Sequence, residues 1–180
     1  MVGKMAWLNN ILKSTLVLAL LLVLAAYALP DRHLVERQRI IAGAPAQLWP
    51  LLASPRQWER WSPWHVRDAQ TRIGYDGPES GLGAQWSWDS ASLGQGRMRF
   101  DDVQMPTRLA YAVSFDRLGT AARGEFRLEP VAGGTRVTWT LESQGGSNAL
   151  LRWFRLMADY RLGQDFDLGL ERLAAAVNRL

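Results

Sequence analysis

The chain of 180 residues contains no cysteine. Disulfides, thiolate metal sites and a cysteine nucleophile are therefore excluded, while the compartment is left open. Histidine is nearly absent too, with only His33 and His65. Neither has a second histidine or a carboxylate at metal-ligand spacing, so no zinc motif is present. No G-x-S-x-G elbow occurs and no serine aligns with His65, which reads as a loop or strand-start residue. The glycine pairs Gly81-Leu82-Gly83 and Gly94-Gln95-Gly96 lie among expected strands and open no helix. A phosphate cradle is thus not indicated, and the second of these pairs suits a turn. Asp101 and Asp102 are strand neighbours that must point to opposite faces, with Asp101 on the polar side beside Arg97 and Arg99. That is a surface arrangement rather than an acid–base pair. No catalytic residue, metal or cofactor is assigned.

Lysine is equally scarce. Lys4 and Lys13 are the only two, and both precede Pro30. The net charge of +4 therefore overstates the basicity of the rest, where 19 Arg face 17 Asp plus Glu. These alternate, as in Arg123-Gly124-Glu125-Phe126-Arg127-Leu128-Glu129. A mixed, solvated surface follows, not a nucleic-acid-binding stripe.

What is plentiful is apolar. Ser14 to Leu29 reads STLVLALLLVLAAYAL, without a charge. With Ile11 and Leu12 the stretch is about 19 residues, roughly 28 Å as a helix, close to the hydrocarbon core of a bilayer. Lys13 can snorkel to headgroups, and Trp7 and Tyr27 sit at interfacial positions. Residues 1–30 are expected to be a single-pass anchor, touching the membrane through residues 11–29. A cleaved signal peptide is the alternative, because Ala26-Tyr27-Ala28 fits a small-residue cleavage site. Lys4 and Lys13 favour an inside N-terminus and so an extracytoplasmic domain, opposed by Arg32, Arg37 and Arg39 on the other flank.

Residues 31–180 read as one domain. A strand is expected over 33–43. A short helix follows, opened by Pro45 and kinked or shortened by Pro50. A second helical turn begins at Ser54-Pro55, with Ser54 as its cap, and carries Trp58 and Trp61. Alternating strands come next. Ala84, Trp86 and Trp88 share a face, as do Met98 and Phe100; Leu109, Tyr111, Val113 and Phe115; Phe126 and Leu128; and Val137, Trp139 and Leu141. Gly133-Gly134 marks a hairpin. After Gly145-Gly146-Ser147, residues from about 148 to 180 follow a helical period with a stripe of Leu150, Phe154, Met157, Phe166, Leu170, Leu173, Val177 and Leu180. Gly163 and Gly169 inside it mark a bend or a close contact. A one-sided sheet and a long amphipathic helix must cover each other, giving an α+β domain.

This order of elements resembles the START-like (SRPBCC) superfamily, and most of all its polyketide cyclase/dehydrase-like family. The resemblance rests on Ile41-Ala42-Gly43-Ala44-Pro45 with Leu48-Trp49, on Trp58-Glu59-Arg60-Trp61-Ser62-Pro63-Trp64, and on Gly81-Leu82-Gly83-Ala84 with Trp86. It extends to Gly133-Gly134-Thr135 with Val137-Thr138-Trp139, and to Gly163-Gln164-Asp165-Phe166 with Gly169-Leu170 and Leu173. It implies a helix-grip fold over about residues 34–180, with about seven antiparallel strands wrapped on the C-terminal helix. Pro50 and the N-terminal anchor depart from the common soluble pattern.

Nine tryptophans, six of them from Trp49 to Trp88, are the feature that bears on function. Aromatics of this number either fill a core or line an apolar cavity, and in a helix grip these are the same space. Trp61, Trp64, Trp86, Trp88, Met98, Tyr111, Phe115, Trp139 and Met157 are the cavity candidates. The expected function is non-catalytic binding of an apolar or amphipathic small molecule, such as a lipid or polyketide-like compound. The alternatives are a cyclase/aromatase-type enzyme, for which Tyr111 is the one inward ionisable candidate, and an envelope interaction module with a vestigial cavity.

Overall fold

The computed structural model describes residues 2–28, 32–68, 70–91, 94–115, 120–144 and 149–179, with side chains omitted at a few helix and strand ends and over 149–159. Helix α1 (Val2–Ala28) is followed by β1 (Arg32–Ile41), α2 (Pro45–Ala53), a 3-10 turn (Pro55–Arg60) and α3 (Pro63–Arg67). Strands β2 (Arg72–Asp76), β3 (Gln85–Ser90), β4 (Gly94–Gln104), β5 (Arg108–Phe115), β6 (Thr120–Val131) and β7 (Gly134–Gln144) come next, and α4 (Ala149–Val177) closes the chain. The seven strands form one antiparallel sheet in the order β1-β7-β6-β5-β4-β3-β2. This is the helix-grip α+β architecture.

Alternation decides which face of each strand is buried. Trp86, Met98, Val113 and Phe126 fall on the inner face, and their strand neighbours Gln85, Arg97, Ala112 and Arg127 fall on the outer one. Helix α4 lies across the inner face with Phe166, Leu170 and Leu173 buried. The outer face is charged and internally paired: Arg108 bridges Asp102 at 2.5 Å and Glu125 at 2.8 Å, and Arg123 reaches Asp101 at 2.6 Å. Asp101 and Asp102 both face outward, contrary to the opposite faces expected of strand neighbours, because a bulge interrupts the alternation between Phe100 and Asp102. A bulge between Phe100 and Asp102 turns β4 relative to β5, and bulges bend and twist a strand locally.

Two local expectations, at Ser54 and at Gly94-Gln95-Gly96, are corrected. Helix α2 is short and runs three residues past Pro50 to Ala53. Pro50 is exposed, while Leu48, Trp49, Leu51 and Leu52 are buried around it, so tertiary packing outweighs the lost donor. Ser54 makes no side-chain cap; its hydroxyl donates to the Glu79 carbonyl instead. Gly94-Gln95-Gly96 is the start of β4, with Gln95 opposite Asp89 and Gly96 opposite Trp88. A Cβ on Gly96 would lie 2.4 Å from Trp88 Cζ2, so glycine here makes room for an indole on the next strand.

The two helix glycines mark close contacts inside a continuous α4. A Cβ on Gly169 would lie 2.7 Å from Trp139 Cζ3, and one on Gly163 would lie 2.2 Å from Arg37 Nη2. Leu150, Phe154, Met157 and the Gly145-Gly146-Ser147 turn lie outside the described residues or side chains.

Candidate ligand-binding face

The inner face has a closed end and an open end. At the closed end the 3-10 turn inserts Trp58 and Trp61, both without solvent exposure. Their indole N–H groups donate to Leu52 O at 2.8 Å and Leu51 O at 2.9 Å. Two carbonyls in the last turn of α2, which have no partner within the helix, are satisfied in this way. Trp58 is the hub: its ring centroid is 4.6 Å from Trp61, 4.8 Å from Trp86 and 5.8 Å from Tyr111. Trp139 stacks on Phe126 at 4.8 Å and on Phe166 at 3.9 Å. Aromatic pairs in this range add to the stabilisation from area burial.

Five of the candidates, Trp61, Trp86, Met98, Tyr111 and Trp139, belong to this buried cluster. Trp58 belongs to it as well, although its sequence position in a short turn gives no sign of being a hub. Tyr111 accepts a hydrogen bond from Trp139 Nε1 at 2.7 Å, and complete burial pushes its phenol far above the ordinary value. A phenol so held is a poor proton acceptor or donor for catalysis.

Trp88 and Phe115 stand at the other end and are half-buried, as is Trp64, which packs on Trp139 at 5.5 Å and Phe166 at 6.2 Å. Trp88 and Phe115 contact each other at 5.7 Å. Beside them the inner row carries Ile73 from β2 and Ala122 from β6, both half-buried. The side chain of Met157 lies outside those described. Here β1, β2, β4 and β6 begin and β3, β5 and β7 end, so α1 joins the domain at this end, just before Arg32. Helix α1 packs against α4, and Ala26 is buried. Two shallow depressions, of about 410 and 380 Å³, are present, the first at the β2–β3–β4 edge with Ile73 and Trp88 in its lining and the second on β1 near Arg136.

Helix α3 spans the open end and is tied on both sides. Trp64 Nε1 donates to the buried Asp165 of α4 at 3.2 Å. Past its C-terminus, Asp68 accepts from Ser90 Oγ of β3 at 2.7 Å. Between them His65 tilts towards Trp86, with 6.3 Å between ring centroids. Both of its ring nitrogens are sealed from solvent and have no hydrogen-bond partner among the described residues, as is also true of Ser62 Oγ and Thr71 Oγ1. Burial holds the His65 imidazole below its ordinary value, opposed by the Glu59 carboxylate. Expected as a loop or strand-start residue, His65 instead lies in helix α3, and its surroundings come from β3 and the 3-10 turn, which no local pattern reveals. Among the described residues no three His, Asp or Glu side chains converge as a metal-binding group.

The sequence model of the family described as "Polyketide cyclase / dehydrase and lipid transport" matches residues 32–178. The chain belongs to this family, within the START-like (SRPBCC) proteins, and its fold is that of a ligand-binding domain of this class. Solved structures agree in fold. Protein CV1439 from Chromobacterium violaceum is 15% identical, with 83% of this chain and 98% of that one covered and a TM-score of 0.59. Protein SA2116 from Staphylococcus aureus, of unknown function, is 13% identical, with 83% and 95% covered and a TM-score of 0.61. DynU16, from the dynemicin biosynthetic locus, is 17% identical; 83% of this chain and 48% of that one are covered, with a TM-score of 0.58. No curated protein matches the sequence. Helix α1 lies outside the family match, and its stretch Asn10–Ala28 is long and apolar enough to cross a membrane.

Proposed function

We propose that the chain is a membrane-tethered START-like domain that holds an apolar or amphipathic molecule, of lipid or polyketide-like character, at the open end of its grip. Residues 1–30 form the anchor and residues 31–180 the binding domain, on the extracytoplasmic side. The observation that carries this reading is the placement of half-buried Trp88 and Phe115 at the end of the sheet where α1 enters. The centre of the face is filled by stacked aromatics. Apolar surface left partly uncovered beside a membrane helix suits a ligand drawn from the bilayer, with affinity from about 25 cal/mol per Å² of apolar area less the cost of ordering.

Native mass spectrometry of the full-length chain, released from detergent, tests this. The wild type should retain a stoichiometric apolar ligand. Ala122→Leu, which fills the half-buried inner position opposite Val113, should lose it. Equal retention by both would assign the bound mass to lipid around α1 and count against the proposal.

A further inference from the structure

Among the described residues the polar groups buried in or beside α3 are His65, Ser62, Thr71 and Asp165, and His33 is buried at the start of β1. Helix α3 is held by Trp64 to α4 and by Asp68 to β3, so His65 is fixed against Trp86 rather than free to turn outward. Its Nδ1 and Nε2 are both buried and unpartnered. A buried polar group without a hydrogen bond is destabilising, and native proteins seldom keep one without a use. A histidine that only filled space could be replaced by a leucine or phenylalanine at no such cost.

We propose that His65 is the polar anchor of the binding face and selects ligands whose head is a neutral hydroxyl or carbonyl group. The inference rests on the binding reading above. An imidazole kept neutral presents one donor and one acceptor. That pair matches an alcohol, which donates once and accepts once, and half of it matches a ketone or ester. Burying an anionic head among these apolar rings carries a desolvation cost that a neutral head avoids. The ligand is then an apolar body inserted along Trp88 and Phe115, with its neutral head under α3.

The test uses the full-length chain in nanodiscs with three probes: 12-bromododecanol, 1-bromododecane and 12-bromododecanoate. Bromine quenching of tryptophan fluorescence reads binding. For the wild type, 12-bromododecanol should bind about tenfold or more tightly than 1-bromododecane, the size of effect one buried hydrogen bond supplies. His65→Leu should abolish that difference, and His65→Gln should restore part of it. In the wild type, the imidazole resonances of His65, one of only two histidines, should shift with the alcohol and not with the bromoalkane. This measurement needs no variant to fold. Equal binding of alcohol and bromoalkane, tighter binding of the carboxylate, or an unmoved His65 resonance would overturn the anchor and leave the binding face standing. Failure of every probe to bind the wild type would remove both proposals.

Discussion

Phe166 of α4 lies flat on Trp139 of β7, with ring centroids 3.9 Å apart and planes within 3° of parallel. This stack joins the long helix to the centre of the sheet. Phe166→Ala removes it and leaves a cavity under α4. The expected loss is about 3–5 kcal/mol of stability, read as a lower urea midpoint at unchanged slope. An unchanged midpoint would show that α4 is held by its other contacts.

Glycines at close contacts give graded outcomes. A Cβ at Gly124 would fall 2.0 Å from Tyr111 Cζ, inside the buried cluster. Gly124→Ala should cost about 1–3 kcal/mol or more, since neither ring nor strand has room to move. At Gly163 the obstacle is the end of the Arg37 side chain, which can swing away from its 3.1 Å contact with Asp167. Helix propensity gains up to about 1 kcal/mol there, so Gly163→Ala should lie near neutral. Thermal unfolding of the two variants checks the order.

Tyr111→Phe separates a structural hydroxyl from a catalytic one. It leaves Trp139 Nε1–H buried without its acceptor, which should destabilise by about 1–3 kcal/mol. Ligand retention should be unaffected, because this hydroxyl is sealed within the closed end. Loss of bound ligand with unchanged stability would contradict that division of the face.

The pH dependence has a definite sign. Burial lowers the His65 value in the folded state, so between the folded and unfolded values the unfolded chain binds more protons. Stability from this group is full above the ordinary histidine value of about 6.5 and is lost as pH falls through the folded value. The urea midpoint of the wild type should therefore drop more than that of His65→Leu between pH 7.5 and pH 5. Parallel curves would show that His65 is not buried as described.

Much of the fold can be read in the chain because period-two alternation fixes which residues share a face. Leu109, Tyr111 and Val113 on β5, and Val137 and Trp139 on β7, occupy the buried side as the pattern requires. Local signals mislead where a distant residue decides. Gly96 reads as a turn residue, yet it lies in a strand under the Trp88 indole. Ser54 reads as a cap, yet it serves the Glu79 carbonyl across the fold. The aromatic candidates were visible as a class, but their separation into a stacked interior and a half-buried end depends on where the 3-10 turn inserts Trp58 and Trp61. His65 had no sequence signal, since its burial and lack of partners arise from α3 being tied down on both sides.

The most direct test of the central claim is site-specific photo-crosslinking of the full-length chain in its native membrane. A benzophenone amino acid replaces Phe115 on the half-buried inner face or Ala112 on the exposed outer face. The account predicts a small-molecule or lipid adduct at position 115 and none at position 112. Adducts at both positions, or at neither, would contradict a ligand held at the open end of the grip.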